Sequence, residues 1–192
     1  MNRERTRKIV TTGLMAAIAV LLGATHLGFI SWFGGVALTI MHIPAVIAAV
    51  LEGPIAGMIV GLAFGIFSMI QAAVAPTGPA DVWFTDPVLA VLPRLFIGPA
   101  AWGAWQLLKR WPAAGLLLAG AVGSLTNTAL VLSVIGLKGF LLWELIGVIA
   151  VTNGVPELLV SAFLTLAVVG AWWQVPMGKH QGADLQLFTS NL

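Results

Sequence analysis

The chain has 192 residues, of which 59% are hydrophobic and only 8% charged, 9 Lys+Arg against 7 Asp+Glu. A soluble domain carries about 25% charged residues. So few charges cannot cover a water-facing surface, which excludes a soluble globular enzyme, a disordered chain and a nucleic-acid binder. There are no cysteines, and hence no disulfide framework, thiol nucleophile or Cys metal site.

The chain opens on a short basic segment, residues 1–8, with Arg3, Arg5, Arg7 and Lys8. The apolar stretch that follows runs from Ile9 to Ile30. That is about the ~20 residues needed to cross a bilayer, and longer than the ~7–15 of a signal peptide. It is predicted to be a retained helix. Further apolar stretches follow at 36–52, 54–75, 87–108, 112–135 and 146–173. In a bilayer every backbone N–H and C=O must be paired within the protein, so these are predicted helices. The second is short, and Gly53-Pro54 separates it tightly from the third.

Lys and Arg counts orient the spans. With the N-terminus inside, Arg3, Arg5, Arg7, Lys8, Lys109, Arg110 and Lys179 lie on the cytoplasmic side and only Lys138 outside. The fold expected is an all-α integral membrane protein with six transmembrane helices and both termini cytoplasmic. Its membrane domain would cover 9–173, and 174–192 would form a cytoplasmic tail. The outer loops are then about 30–35, 76–86 and 136–145. The middle one, with Trp83, Phe84 and Asp86, is longer than a helix pair needs and suits a lid. Interfacial anchoring is the alternative reading for any single Trp.

Polar residues inside the spans narrow the function, because charge in hydrocarbon is costly and marks a function or a pair. Arg94 is expected roughly 12 Å below the outer surface and Glu157 roughly 16 Å, at 1.5 Å per residue. Asn127, Asn153, Gln71 and His42 belong to the same outer half. The simplest account is a pocket open to the outside and closed toward the cytoplasm. Arg94 and Glu157 could instead neutralise each other. Asn127, in Gly123-Ser124-Leu125-Thr126-Asn127, could serve as glue between helices. Asn153-Gly154-Val155-Pro156-Glu157 loosens its helix and frees backbone groups to line a cavity.

Small residues at i,i+4 let helix backbones approach closely. Gly53, Gly57, Gly61 and Gly65 suit packing within the chain. Gly13 with Ala17, and Ala19 with Gly23, suit docking of span one on a partner. Equally informative are the motifs that do not occur. There is no Gly-x-x-x-x-Gly-Lys-[Ser/Thr] phosphate loop, no His-Glu-x-x-His and no Gly-x-Ser-x-Gly. An enzyme acting on lipids through Glu157 or Asp86 lacks a visible base–nucleophile pair.

The stretch Met41-His42-Ile43-Pro44 through Glu52-Gly53-Pro54-Ile55-Ala56-Gly57, with Gly61 and Gly65, resembles the second-to-third helix region of the S components of energy-coupling factor (ECF) vitamin transporters. Phe84-Thr85-Asp86-Pro87 with Leu92-Pro93-Arg94 is similar to the start of their fourth helix, and Asn153-Gly154-Val155-Pro156-Glu157 to their sixth. The resemblance implies a substrate-binding subunit rather than an enzyme, with no cofactor of its own. Its partners would be a transmembrane coupling subunit and two cytosolic ATPases in the cell membrane. In that reading Arg94 contacts an anionic group, Asn127 and Asn153 hydrogen-bond the ligand, and Trp83 and Phe84 cover it. His42, Gln71, Asp86 and Glu157 complete the substrate set, and Gly13, Ala17, Ala19 and Gly23 meet the coupling subunit. A buried Arg favours a carboxylate-bearing vitamin. Pantothenate is the first choice, with riboflavin, lipoate and cobalamin open. A structural or assembly subunit without a ligand is the competing reading.

Overall fold

The computed structural model describes residues 3–25, 27–31, 37–76 and 78–173. Residues 32–36 of the first expected outer loop, and the tail 174–192 with Lys179, lie outside the described residues. In chain order the elements are α1 (Arg3–Ala24), a ribbon of β1 (Phe29–Ser31) and β2 (Ala37–Thr39), α2 (Ile43–Glu52), α3 (Pro54–Val74), a 3-10 turn (Pro79–Thr85), α4 (Pro87–Ala90), α5 (Leu92–Leu108), α6 (Pro112–Leu137), α7 (Trp143–Thr152) and α8 (Gly154–Trp173). The strands pair antiparallel, Phe29 opposite Thr39. Five stretches are long and apolar enough to cross a membrane: α1, α3, α4 with α5, α6, and α7 with α8.

Proline sets most of the helix starts. Pro44, Pro54, Pro87, Pro93 and Pro112 each fall in the first turn of α2 to α6. There a missing N–H costs nothing and the fixed φ suits the helix. Gly53 joins α2 to α3 at φ 100°, a conformation that favours glycine.

The second predicted span departs from expectation. Residues 36–52 do not form one helix, because β2 and a turn precede the ten residues of α2. α2 begins at Ile43, with Pro44 in its first turn, where the missing N–H costs nothing. At 1.5 Å per residue α2 is about 15 Å long, half the ~30 Å hydrocarbon core. It is nonetheless buried from Ile43 to Leu51. Protein surrounds it: α1, α3, α5, α6 and α8 all pack against it.

The α3 glycines bring backbones together. A β-carbon on Gly57 would stand 2.6 Å from Gly98 Cα, and one on Gly65 would stand 2.7 Å from the Ala90 carbonyl oxygen. One on Gly61 would strike the Arg94 carbonyl oxygen. α3 and α5 are therefore antiparallel and in backbone contact, and the position of Arg94 is set by a glycine on its neighbour. The final span is interrupted at Asn153, between α7 and α8, as the Asn-Gly-x-Pro sequence suggests. The ribbon, the 3-10 turn and the 138–142 turn share one end of the bundle, the ribbon end. The turns at Gly53 and at 109–111 share the far end.

Candidate substrate-binding site

Five of the side chains nominated for the ligand are buried: His42, Arg94, Asn127, Asn153 and Glu157 are 0, 5, 6, 5 and 8% exposed. Gln71, Trp83, Phe84 and Asp86 are half-buried at the ribbon end. A seam between α2, α5 and α6 brings the first three together. A β-carbon on Gly123 would touch Val46 and stand 3.5 Å from Ala101 Cβ. From that level His42 and Asn127 each lie one turn toward the ribbon end, and Arg94 lies two turns along α5 in the same direction.

Arg94 has no carboxylate partner. Its Nη1 donates to the Leu89 carbonyl, its Nε is buried and unpartnered, and its guanidinium lies 5.2 Å from the Phe64 ring centre and 5.1 Å from that of Phe84. Two aromatic faces thus take the place of an anion. The ion pairs among the described residues are Arg7–Glu52 and Lys138–Asp86. Mutual neutralisation of Arg94 and Glu157 is therefore not the arrangement found. Asn127 Oδ1 and Ser124 Oγ are also buried without hydrogen-bond partners, and the wholly buried His42 ring lies against the Thr39 backbone and within reach of the Arg94 charge.

Glu157 is fully engaged. Thr39 donates to Oε1 from its backbone N at 2.7 Å and from Oγ1 at 3.2 Å, and Thr128 Oγ1 donates to Oε2 at 3.3 Å. The free edge of β2 would otherwise present an unpaired N–H, and in a bilayer such a group must be satisfied by protein. The first turn of α8 supplies the acceptor. Glu157 thereby ties the ribbon to α6 and α8. Asn153 Oδ1 lies 3.2 Å from Thr152 Oγ1, whose single proton is shared with the Val148 carbonyl at 2.9 Å.

A second closure is made by the 3-10 turn. Asp86 caps α4 by accepting from Val88 N at 2.9 Å, and it pairs with Lys138 beyond the end of α6. The Lys138 ammonium, and then the Val88 N–H, hold the Asp86 carboxyl below its ordinary value of 3.8. Trp83 stacks on Phe140 at 5.4 Å and 11°. Phe84 lies over Arg94 on the other side.

The expected open pocket is not what these residues line. One surface groove of about 290 Å³ runs between α6, α7 and α8, bordered by Thr128, Trp143 and Gly154. Another of about 480 Å³ runs between α5 and α6, bordered by Phe96, Pro99 and Val122. Neither is lined by His42, Arg94, Asn127 or Asn153. Phe84 lies over Arg94, and His42, Arg94 and Asn127 are buried.

The four small residues of α1 divide. Gly13 and Ala17 are exposed, whereas Ala19 is fully buried and a β-carbon on Gly23 would strike Phe67 and Met41. Two residues at about 100° each put Ala19 on the side opposite Ala17, so Ala19 and Gly23 pack internally. Sequence reasoning missed Thr39, Phe64, Ser124 and Thr128. Ser124 stood beside Asn127 in the quoted motif, but nothing local marks a serine as unpartnered.

Residues 7–169 match the family described as "ECF transporter, substrate-specific component". The chain is 28% identical over 191 residues to "Pantothenic acid transporter PanT" of Lactococcus lactis subsp. cremoris, an alignment covering 89% of this chain and 96% of that protein. It is 28% identical over 206 residues to "Pantothenate transporter PanT" of Leuconostoc mesenteroides subsp. mesenteroides, covering 95% and 98%.

Proposed function

The chain belongs to the family of ECF transporter substrate-specific components, and we propose that it captures pantothenate at the outer face of a bacterial cell membrane. Two relatives that align along most of the chain carry pantothenate in their names. The observation that carries the reading is the buried, carboxylate-free Arg94. Guanidinium binds carboxylate through paired, charge-assisted hydrogen bonds. A cation held only by two rings and one carbonyl retains that capacity. Below it, His42 and Asn127 offer hydrogen-bonding groups for the rest of a small polar molecule. Phe84 and Trp83 cover the carboxylate end, and Glu157 acts through the ribbon. A subunit used only for assembly would have no reason to leave an arginine unpaired.

In this reading the bundle crosses the membrane six times, with α2 as the short second crossing, and both termini are cytoplasmic. The Lys and Arg distribution supports that orientation. The ribbon end then faces outward. Entry requires the ribbon, the 3-10 turn, or both to move. The exposed Gly13 and Ala17 face of α1 meets a transmembrane coupling subunit, and two cytosolic ATPases supply the energy.

The test is calorimetric titration of the purified chain in lipid nanodiscs. Pantothenate binds saturably, riboflavin, lipoate and cobalamin do not, and Arg94→Ala weakens binding about 100-fold, or about 3 kcal/mol. Pantothenate binding that is indifferent to Arg94→Ala, or no pantothenate binding at all, would overturn the proposal.

A further inference from the structure

Arg94 is the third residue of α5, and a long helical side chain points back toward the N-terminal end of its helix. It runs past the start of α5, where Nη1 donates to the Leu89 carbonyl of α4. The α3 glycines bring a second element to that level. Gly61 lies against the Arg94 carbonyl, and Gly65 against Ala90 and Val91, so Phe64 beside Gly65 stands level with the start of α5. The Phe64 ring centre accordingly lies 5.2 Å from Arg94 Cζ. Phe64 is 3% exposed and belongs to an unbroken helix of 21 residues. Phe84 also faces the guanidinium, at 5.1 Å, but from the 3-10 turn, one of the two elements assigned to ligand entry. The two rings are therefore unequal. Phe84 is part of a cover, and Phe64 is a fixed support.

The nature of that support decides what stays open. Among the described residues the guanidinium makes one hydrogen bond, from Nη1, and Nε is buried with none. Nε and Nη2 share one edge of the planar group, and their N–H donors form a fork that matches the two oxygens of a carboxylate. An Asp or Glu in place of Phe64 would fill that fork, and a carbonyl would fill part of it. An aromatic face stabilises the cation electrostatically, with no lone pair to occupy an N–H donor. We infer that Phe64 is a positioning residue for ligand binding: its ring holds the Arg94 guanidinium so that the Nε–Nη2 edge is kept for the carboxylate of the ligand. The inference rests on the reading of Arg94 as the carboxylate site. Phe64→Leu leaves the charge in place and opens space beside it. The guanidinium then turns its fork to neighbouring backbone carbonyls, which a ligand has to displace. Such lost preorganisation lowers affinity without removing any contact to the ligand.

The experiment compares two ligands on the full chain in lipid nanodiscs: pantothenate, and its alcohol analogue in which a hydroxymethyl group replaces the carboxylate. Wild type prefers pantothenate about 100-fold. In Phe64→Leu the preference falls to about 10-fold, through weaker pantothenate binding, while the alcohol binds as it does to wild type. Phe64→Met, whose unbranched side chain fills the space without a ring face, gives the same shift. The ratio of the two affinities on one preparation does not change with the fraction of folded protein, which separates lost positioning from lost fold. A preference kept near 100-fold in either variant, or the two ligands weakened equally, would overturn the role of Phe64 and leave the reading of Arg94 standing. Wild type that fails to bind pantothenate, or that binds both ligands alike, would overturn the functional reading and this inference together.

Discussion

The two ends of the α2–α5–α6 seam are made from the same helices and opposite materials. Toward the far end the contacts are small and apolar: Ala48, Ala101, Leu116 and Ala119 are all fully buried. Toward the ribbon end the same helices bury His42, Arg94 and Asn127, with polar atoms of Arg94 and Asn127 left unpartnered. Close packing stabilises the first end, and unpaired polar groups destabilise the second. The difference separates the end that supplies stability from the end that the proposed function assigns to the ligand. A tightly packed floor allows a polar column to exist above it without collapsing, so a substitution acts differently depending on which end it meets.

The largest effect is expected where backbone packing supports both ends. Gly61→Leu drives a side chain into the Arg94 carbonyl and costs about 3 kcal/mol of stability. Thermal unfolding in detergent checks this, and a wild-type melting temperature would show that α3 and α5 are not in backbone contact. Next comes Arg94→Met, where the two properties separate. Removing a buried, anion-free charge leaves the melting temperature unchanged or higher, while pantothenate binding falls about 100-fold. A parallel loss of both would make Arg94 a structural residue.

The ribbon gives a smaller effect. Glu157→Ala removes the acceptor of Thr39 and Thr128, and pantothenate should dissociate about 10-fold faster. Glu157→Gln keeps a carbonyl for Thr39 N and stays within about threefold of wild type. The chain has no cysteine, so Met41→Cys, buried beside the ribbon, is a clean labelling reporter, and it should react faster with maleimide in the Glu157→Ala background. Equal losses in the Ala and Gln variants, with labelling unchanged, would point to direct ligand contact instead.

The smallest effect belongs to the Asp86–Lys138 pair, which is solvent-accessible and correspondingly weak. Lys138→Ala should change dissociation by no more than about twofold. The Asp86 carboxyl is held below 3.8 in the folded chain. Its pairing is therefore intact above the ordinary aspartate range and is lost only as pH falls through the lowered value. Dissociation rates measured from about pH 5 to 8 should show no contribution from this pair. A step in that range abolished by Lys138→Ala would contradict the assignment.

Much of the site's inventory was legible in the sequence. Arg94, Asn127, Asn153 and Glu157 stand out because polar groups in apolar helices are costly, and each proves to be buried. The α3 glycines were legible as a packing face for the same kind of reason. The pairing of these groups was not. Glu157 meets Thr39 across 118 residues, and the aromatic faces around Arg94 come from α3 and the 3-10 turn. The sidedness of α1 was half-legible: helical geometry separates Gly13 and Ala17 from Ala19 and Gly23, but only the packing of α3 shows which side is inside.

By itself the sequence determined the medium, some of the helix starts and the family. Too few charges leave only a bilayer as solvent, prolines begin helices because their missing N–H costs nothing there, and the motifs carry the resemblance. The tertiary structure decided that α2 is a half-length helix enclosed by protein and that Glu157 holds a ribbon. Those outcomes depend on which of several competing partners the packing brings within hydrogen-bonding distance, and that is settled by helices from distant parts of the chain.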